Sequence, residues 1–104
     1  MSARDLLPDI RARLERAFGP RLAGVVLFGS EARDEAGPDS DIDLLVLLDG
    51  PVRYWADLRA GLDAVYALVL ETGRPIHPKP VSRAVFEAGL FPLYRRAKLE
   101  GIVA

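Results

Sequence analysis

Apolar residues in the first part of the chain recur with the period of a helix. Leu6, Leu7, Ile10, Leu14, Ala17 and Phe18 share one side of residues 5–18, and Gly19-Pro20 ends the run. The pattern then changes. Residues 22–28 (Leu-Ala-Gly-Val-Val-Leu-Phe) are short, nearly continuously apolar and rich in β-branched side chains, which predicts a buried strand stopping at Gly29. Residues 30–40 are polar and contain Gly37-Pro38, so they read as a connection with one helical turn at 31–35. A second strand-like run follows at 42–48.

Asp49-Gly50-Pro51 is a turn that leads into a helix, with Pro51 expected near the first helical position. Beyond it Trp55, Leu58, Leu62, Val65, Tyr66 and Val69 recur at helical spacing, so they are expected to form one buried face, with Trp55 and Tyr66 packed into the core. Gly73 suits a left-handed helix end. Residues 74–81 alternate loosely and carry Pro75, Pro78 and Pro80, which confines them to a sheet edge. Ser82 is placed to cap a short helix through Phe86, and Pro92 to start a last one over 93–100 that ends at Gly101. The order is helix, strand, strand, helix, strand, helix. It predicts an α/β (α+β) architecture, a small mixed sheet of three to four strands flanked by helices, with one sheet face covered.

Composition narrows the chemistry. The chain of 104 residues, half of them hydrophobic, is expected to be a single domain over 1–104 with one apolar core. It has no cysteine and one histidine, so any metal must be held by oxygen. A net charge of −1 gives no field for nonspecific nucleic-acid or membrane binding, and a small ligand or protein partner fits better. No apolar run approaches the roughly 20 residues of a membrane span. The opening Met1-Ser2-Ala3-Arg4-Asp5 lacks a signal-peptide core, and the expected location is the cytoplasm.

Three features converge within residues 29–43: Gly29-Ser30 at the end of one strand, Ser40-Asp41 opening the next, and Asp43 two positions later. Residues i and i+2 of a strand face the same side, with Cα atoms roughly 6.5–7 Å apart, so Asp41 and Asp43 would aim at one point. Two crowded carboxylates repel unless a cation neutralises them. Mg²⁺ does so, and it commonly completes its coordination with waters and substrate phosphates. At Gly29 no Cβ blocks a phosphate, and Ser30 adds a hydroxyl donor.

Gly29-Ser30, ten intervening residues and Asp41-Ile42-Asp43-Leu44-Leu45-Val46 resemble the signature of the DNA polymerase β-like nucleotidyltransferase superfamily. The stretch is similar in particular to minimal nucleotidyltransferases, stand-alone domains that often act as antitoxins of HEPN-domain toxins. The resemblance spans most of the chain, although only 25–46 is diagnostic. It implies the nucleotidyltransferase fold and a nucleoside triphosphate, commonly ATP, as substrate. Asp41 and Asp43 would be the catalytic, Mg²⁺-ligating pair; Ser30 would contact the terminal phosphates, with Gly29, Arg33 and Ser40 completing the nucleotide-binding set. The implied reaction moves a nucleoside monophosphate onto a hydroxyl and releases pyrophosphate. Glu31 and Asp34 stand where relatives often carry arginine and glycine. Active relatives also usually place a third carboxylate on the later strand, as general base. Residues 74–81 contain no acid, and His77 and Glu71 are the nearest candidates to replace it.

Each residue also has a plainer reading. Asp41 and Asp43 could mark a solvated turn, Gly29-Ser30 a strand end with a helix cap, and Arg33 a surface ion pair. His77 suits an exposed edge strand, Glu71 a solvated helix end, and Tyr94, Arg95, Arg96 and Lys98 a solvated helix face. The functional reading is a Mg²⁺- and ATP-dependent nucleotidyltransferase acting on a hydroxyl of a partner protein or RNA. The alternative is a catalytically weak binding module that neutralises a HEPN-type partner by contact. An accessory subunit that binds nucleotide without chemistry lies between the two.

Overall fold

The computed structural model describes residues 2–29 and 40–104. Helix α1 spans Ala3–Phe18. It begins two residues before the apolar pattern suggests, because Ser2 and Asp5 form a reciprocal capping box in which each side chain accepts the other's backbone N–H. A 3₁₀ turn at Gly19–Arg21 feeds β1, Leu22–Phe28, and β2 covers Ile42–Leu48, both as the sequence predicts. The polar connection with its expected helical turn at 31–35 lies outside the described residues. Then come α2 (Tyr54–Thr72), β3 (Ile76–Ser82), α3 (Arg83–Ala88), α4 (Pro92–Glu100) and a two-residue β4 (Ile102–Val103).

The strands form one sheet in the order β3-β2-β1-β4. β1 and β2 are antiparallel, whereas β2 and β3 are parallel and joined through α2. β3 is the edge strand that its prolines require. The Ile42 N–H donates to the Pro75 carbonyl at 2.8 Å, and residues alternate along a strand, so the N positions of Pro78 and Pro80 point away from β2. Ser82 caps α3 through the Val85 N–H, and Gly73 takes φ 70° at the end of α2. The closing strand β4 has no signal in the apolar pattern. It pairs with Val26 and Leu27, and at its end Ala104 exchanges two backbone hydrogen bonds with Val25. Gly101 permits this approach, since a Cβ there would lie 2.6 Å from Val26 Cγ1.

Two expectations need correction. The sheet has buried residues on both faces rather than one. α1 and α2 cover Val25, Leu27, Ile42, Leu44, Val46 and Leu48, while Phe86 of α3 and Ala97 of α4 pack with Val26, Leu45 and Leu47 on the other side. The continuous apolar runs of β1 and β2 supply side chains to both faces.

The second correction concerns α2. It buries Asp57, Gly61, Val65 and Leu68 and leaves Trp55, Leu62 and Tyr66 exposed, Trp55 at 78%. At 100° per residue the buried face is rotated by roughly a quarter turn from the apolar stripe. Two contacts set that rotation. Asp57 is tied to Arg21 by hydrogen bonds of 3.0 and 2.9 Å, and Gly61 lies so close to Pro78 that an added Cβ would be 3.2 Å from its Cγ. Pro51 also lies before the helix, whose N-cap is Arg53, and its carbonyl accepts from Arg21 at 3.0 Å.

Candidate functional site

The site follows from strand directions. Because β1 and β2 run antiparallel, the end of β1 meets the start of β2, and Phe28 is the register partner of Asp43. Because β2 and β3 run parallel, β3 starts at the same end, and His77 is the partner of Asp43 on the other side. Gly29, Asp41, Asp43 and His77 thus meet at one end of the sheet. Phe28, Leu45 and Leu47 belong to the cluster under α3 and α4, so the alternation of β2 places Asp43 on that same face.

Gly29 has φ 74°, a left-handed conformation that favours glycine, and a Cβ added there would sit 3.7 Å from Asp43 Oδ2. Asp43 is half-buried. Asp41 lies just before β2 and is more open, with its side chain 59% exposed and its Oδ2 3.1 Å from His77 Nε2. The backbone around it is held on both sides. Arg74 donates from Nε and Nη2 to the Ser40 carbonyl at 3.2 and 3.0 Å, and Pro75 accepts the Ile42 N–H.

The structure therefore gathers Gly29, Ser40, Asp41 and Asp43, whereas Ser30 and Arg33 lie outside the described residues, as do Glu31 and Asp34. His77 lies on β3 as the register partner of Asp43, a neighbour that the linear pattern does not reveal. Glu71 is not brought there. It lies on α2, on the far face of the sheet, where it acts electrostatically on Arg13. The basic stretch of α4 serves its own layer: Arg95 and Lys98 donate to the Gly89 and Glu87 carbonyls at 3.1 and 3.0 Å, and Tyr94 packs on Phe86 and Phe91.

Two residues escaped the sequence reading. Arg74 is 5% exposed and grips a carbonyl far away in sequence, so no local pattern announces it. Lys79, half-buried, follows His77 on the same face of β3 and is the register partner of Leu45. The alternation of the strand is the signal that would have placed it on the same face of β3 as His77.

A divalent cation is consistent with these donors. Among the described residues no three carboxylate or imidazole side chains are gathered to hold a metal alone. Mg²⁺ does not need that, since one or two carboxylates together with substrate phosphates are its usual protein ligation. Asp41 and Asp43 are the side chains whose hard oxygens would hold such an ion, and Gly29 places no Cβ beside Asp43.

The family model for the nucleotidyltransferase domain matches residues 7–100. The chain belongs to that family. No curated protein matches its sequence. Among solved structures, the crystal structure of a mutant toxin–antitoxin pair, MntA–HpeT, is similar to it with a TM-score of 0.60 and 18% identity, over 91% of this chain and 69% of that one. At this identity the likeness speaks for the fold, a nucleotidyltransferase sheet flanked by helices. No helix among the described residues is long and apolar enough to cross a membrane.

Proposed function

We infer that this nucleotidyltransferase domain binds ATP or another nucleoside triphosphate with Mg²⁺ and transfers the nucleoside monophosphate to a hydroxyl of a partner protein or RNA. The observation that carries the reading is the convergence of Gly29, Asp41 and Asp43 at one end of the sheet. Asp41 and Asp43 hold the metal, which offsets charge on the phosphate oxygens. Gly29, Ser30 and Ser40 receive the nucleotide's phosphates, and Arg33 and Lys79 add positive charge. The acceptor oxygen bonds to the α-phosphorus, the bond to the bridging oxygen breaks, pyrophosphate leaves, and the hydroxyl proton passes to solvent or to a base from the partner. The MntA–HpeT mutant carries two aspartate-to-glutamate changes spaced as Asp41 and Asp43 are, which supports attention to this pair.

The test is transfer of label from ATP by the chain alone and with a candidate partner, beside an Asp43→Asn control. Label transfer that needs Asp43 and divalent metal supports the reading. Equal nucleotide affinity with and without Mg²⁺ removes it.

A specific observation favours the contact-only alternative. Trp55, Leu62, Tyr66 and Leu70 form an apolar stripe along the outer side of α2, exposed by 78, 42, 61 and 66%. Exposed aromatic stripes suit protein interfaces. In this reading a HEPN-type toxin covers α2, and the toxin–antitoxin origin of the structural neighbour points the same way. Toxin neutralisation that survives Asp41→Asn, with no label transfer, would select it.

A further inference from the structure

Residues 74–77, which lead into and begin β3, grip three consecutive residues at the β2 entry. Arg74 holds the Ser40 carbonyl, His77 holds the Asp41 carboxylate at 3.1 Å, and Pro75 accepts the Ile42 N–H at 2.8 Å. The two backbone contacts fix the chain on either side of Asp41 but leave its side-chain torsions to rotate. Asp41 stands outside the β2 ladder and is 59% exposed, so packing restrains it little. Among the described residues, the His77 contact is the one that holds the carboxylate itself.

We propose that His77 is a positioning residue, whose Nε2–H holds Oδ2 of Asp41 so that the carboxylate is ordered for the metal it shares with Asp43. The proposal rests on the reading of Asp41 and Asp43 as the metal pair. An imidazole carrying hydrogen on Nε2 donates to Oδ2 whether or not Nδ1 is also protonated, and Oδ1 remains for the cation. Hydrogen-bond partners of metal ligands typically tune metal affinity by about 10–100-fold. Here both partners are more than half exposed, at 55 and 59%, so water competes for the contact. The expected effect is about three- to tenfold, at or below the low end of that range.

The experiment measures Mn²⁺ affinity by electron paramagnetic resonance in the presence of a non-hydrolysable ATP analogue. It compares the unmodified chain with His77→Ala, His77→Gln and Asp43→Asn, each checked by circular dichroism for an unchanged fold. His77→Ala should weaken Mn²⁺ binding about three- to tenfold, and His77→Gln, whose amide Nε2–H reaches Asp41 from a similar place, should recover most of the loss. Unchanged affinity in His77→Ala overturns the proposal. So does a Gln variant as weak as Ala, which would make His77 a direct ligand. If instead the unmodified chain binds no Mn²⁺, or Asp43→Asn binds it equally well, the metal-site reading itself fails, and the proposal with it.

Discussion

Asp57→Asn isolates one contact that fixes α2 without touching the candidate site. Asp57 is 7% exposed and accepts from Arg21 at 3.0 and 2.9 Å and from the Arg53 N–H at 2.9 Å. A hydrogen bond to a charged group contributes about 1.5–3 kcal/mol when sheltered. The Arg21 side chain is 40% exposed and Asn keeps one acceptor oxygen, so the discounted loss is about 1–2 kcal/mol at neutral pH. For a domain of this size each kcal/mol lowers the melting temperature by about 4–8 °C. The pH dependence has a definite sign. The Arg21 guanidinium, with the Arg53 N–H, holds the Asp57 carboxyl below the usual carboxylate range. Its stabilisation is therefore complete above the unfolded value of about 3.9 and fades as pH falls through the lowered folded value. Urea unfolding of the two proteins at neutral pH and at about pH 2.5 measures this: the gap should narrow as acid protonates Asp57. Arg21→Leu should lose a similar amount, and the double variant should be less than additive. A gap independent of pH, or none at neutral pH, would refute the reasoning. Metal and nucleotide affinity should not change, because β2 puts about 20 Å between its two ends.

Gly29→Ala should cost about 1–2 kcal/mol of stability, since φ 74° is a left-handed conformation that a Cβ disfavours. It should also weaken ATP binding, measured by calorimetry beside thermal unfolding; an Ala variant of unchanged stability and affinity would remove the role of this turn. Trp55→Ala and Tyr66→Ala should change stability by no more than about 0.5 kcal/mol, because both side chains stand in water. A melting-temperature loss typical of a core truncation would show that α2 packs as its apolar stripe suggests. If the contact-only reading holds, the same two variants should weaken binding to the partner, and unchanged binding would remove the stripe as its contact surface.

Local features were legible from the order of residues alone. β1 and β2 match their apolar runs residue for residue, Ser82 and Pro92 start the helices they were expected to start, and the prolines of residues 74–81 restrict β3 to an edge. The strand period alone placed Asp41 and Asp43 on one face, and the resemblance of Gly29-Ser30 and Asp41-Ile42-Asp43 to a known signature pointed to the nucleotidyltransferase family that the family model shows. Features that depend on partners distant along the chain came only with the folded arrangement. The face α2 buries was set by Arg21 reaching Asp57 and by Pro78 pressing on Gly61, and a hydrophobic period cannot register a buried aspartate or glycine. His77 reached Asp41 only because β3 runs parallel to β2 in a register that pairs it with Asp43. Arg74 reached Ser40 for the same reason. Periodicity fixes which side of its own strand a residue faces, but the neighbour it meets is fixed by strand order, direction and register, which follow from the packing of the whole sheet.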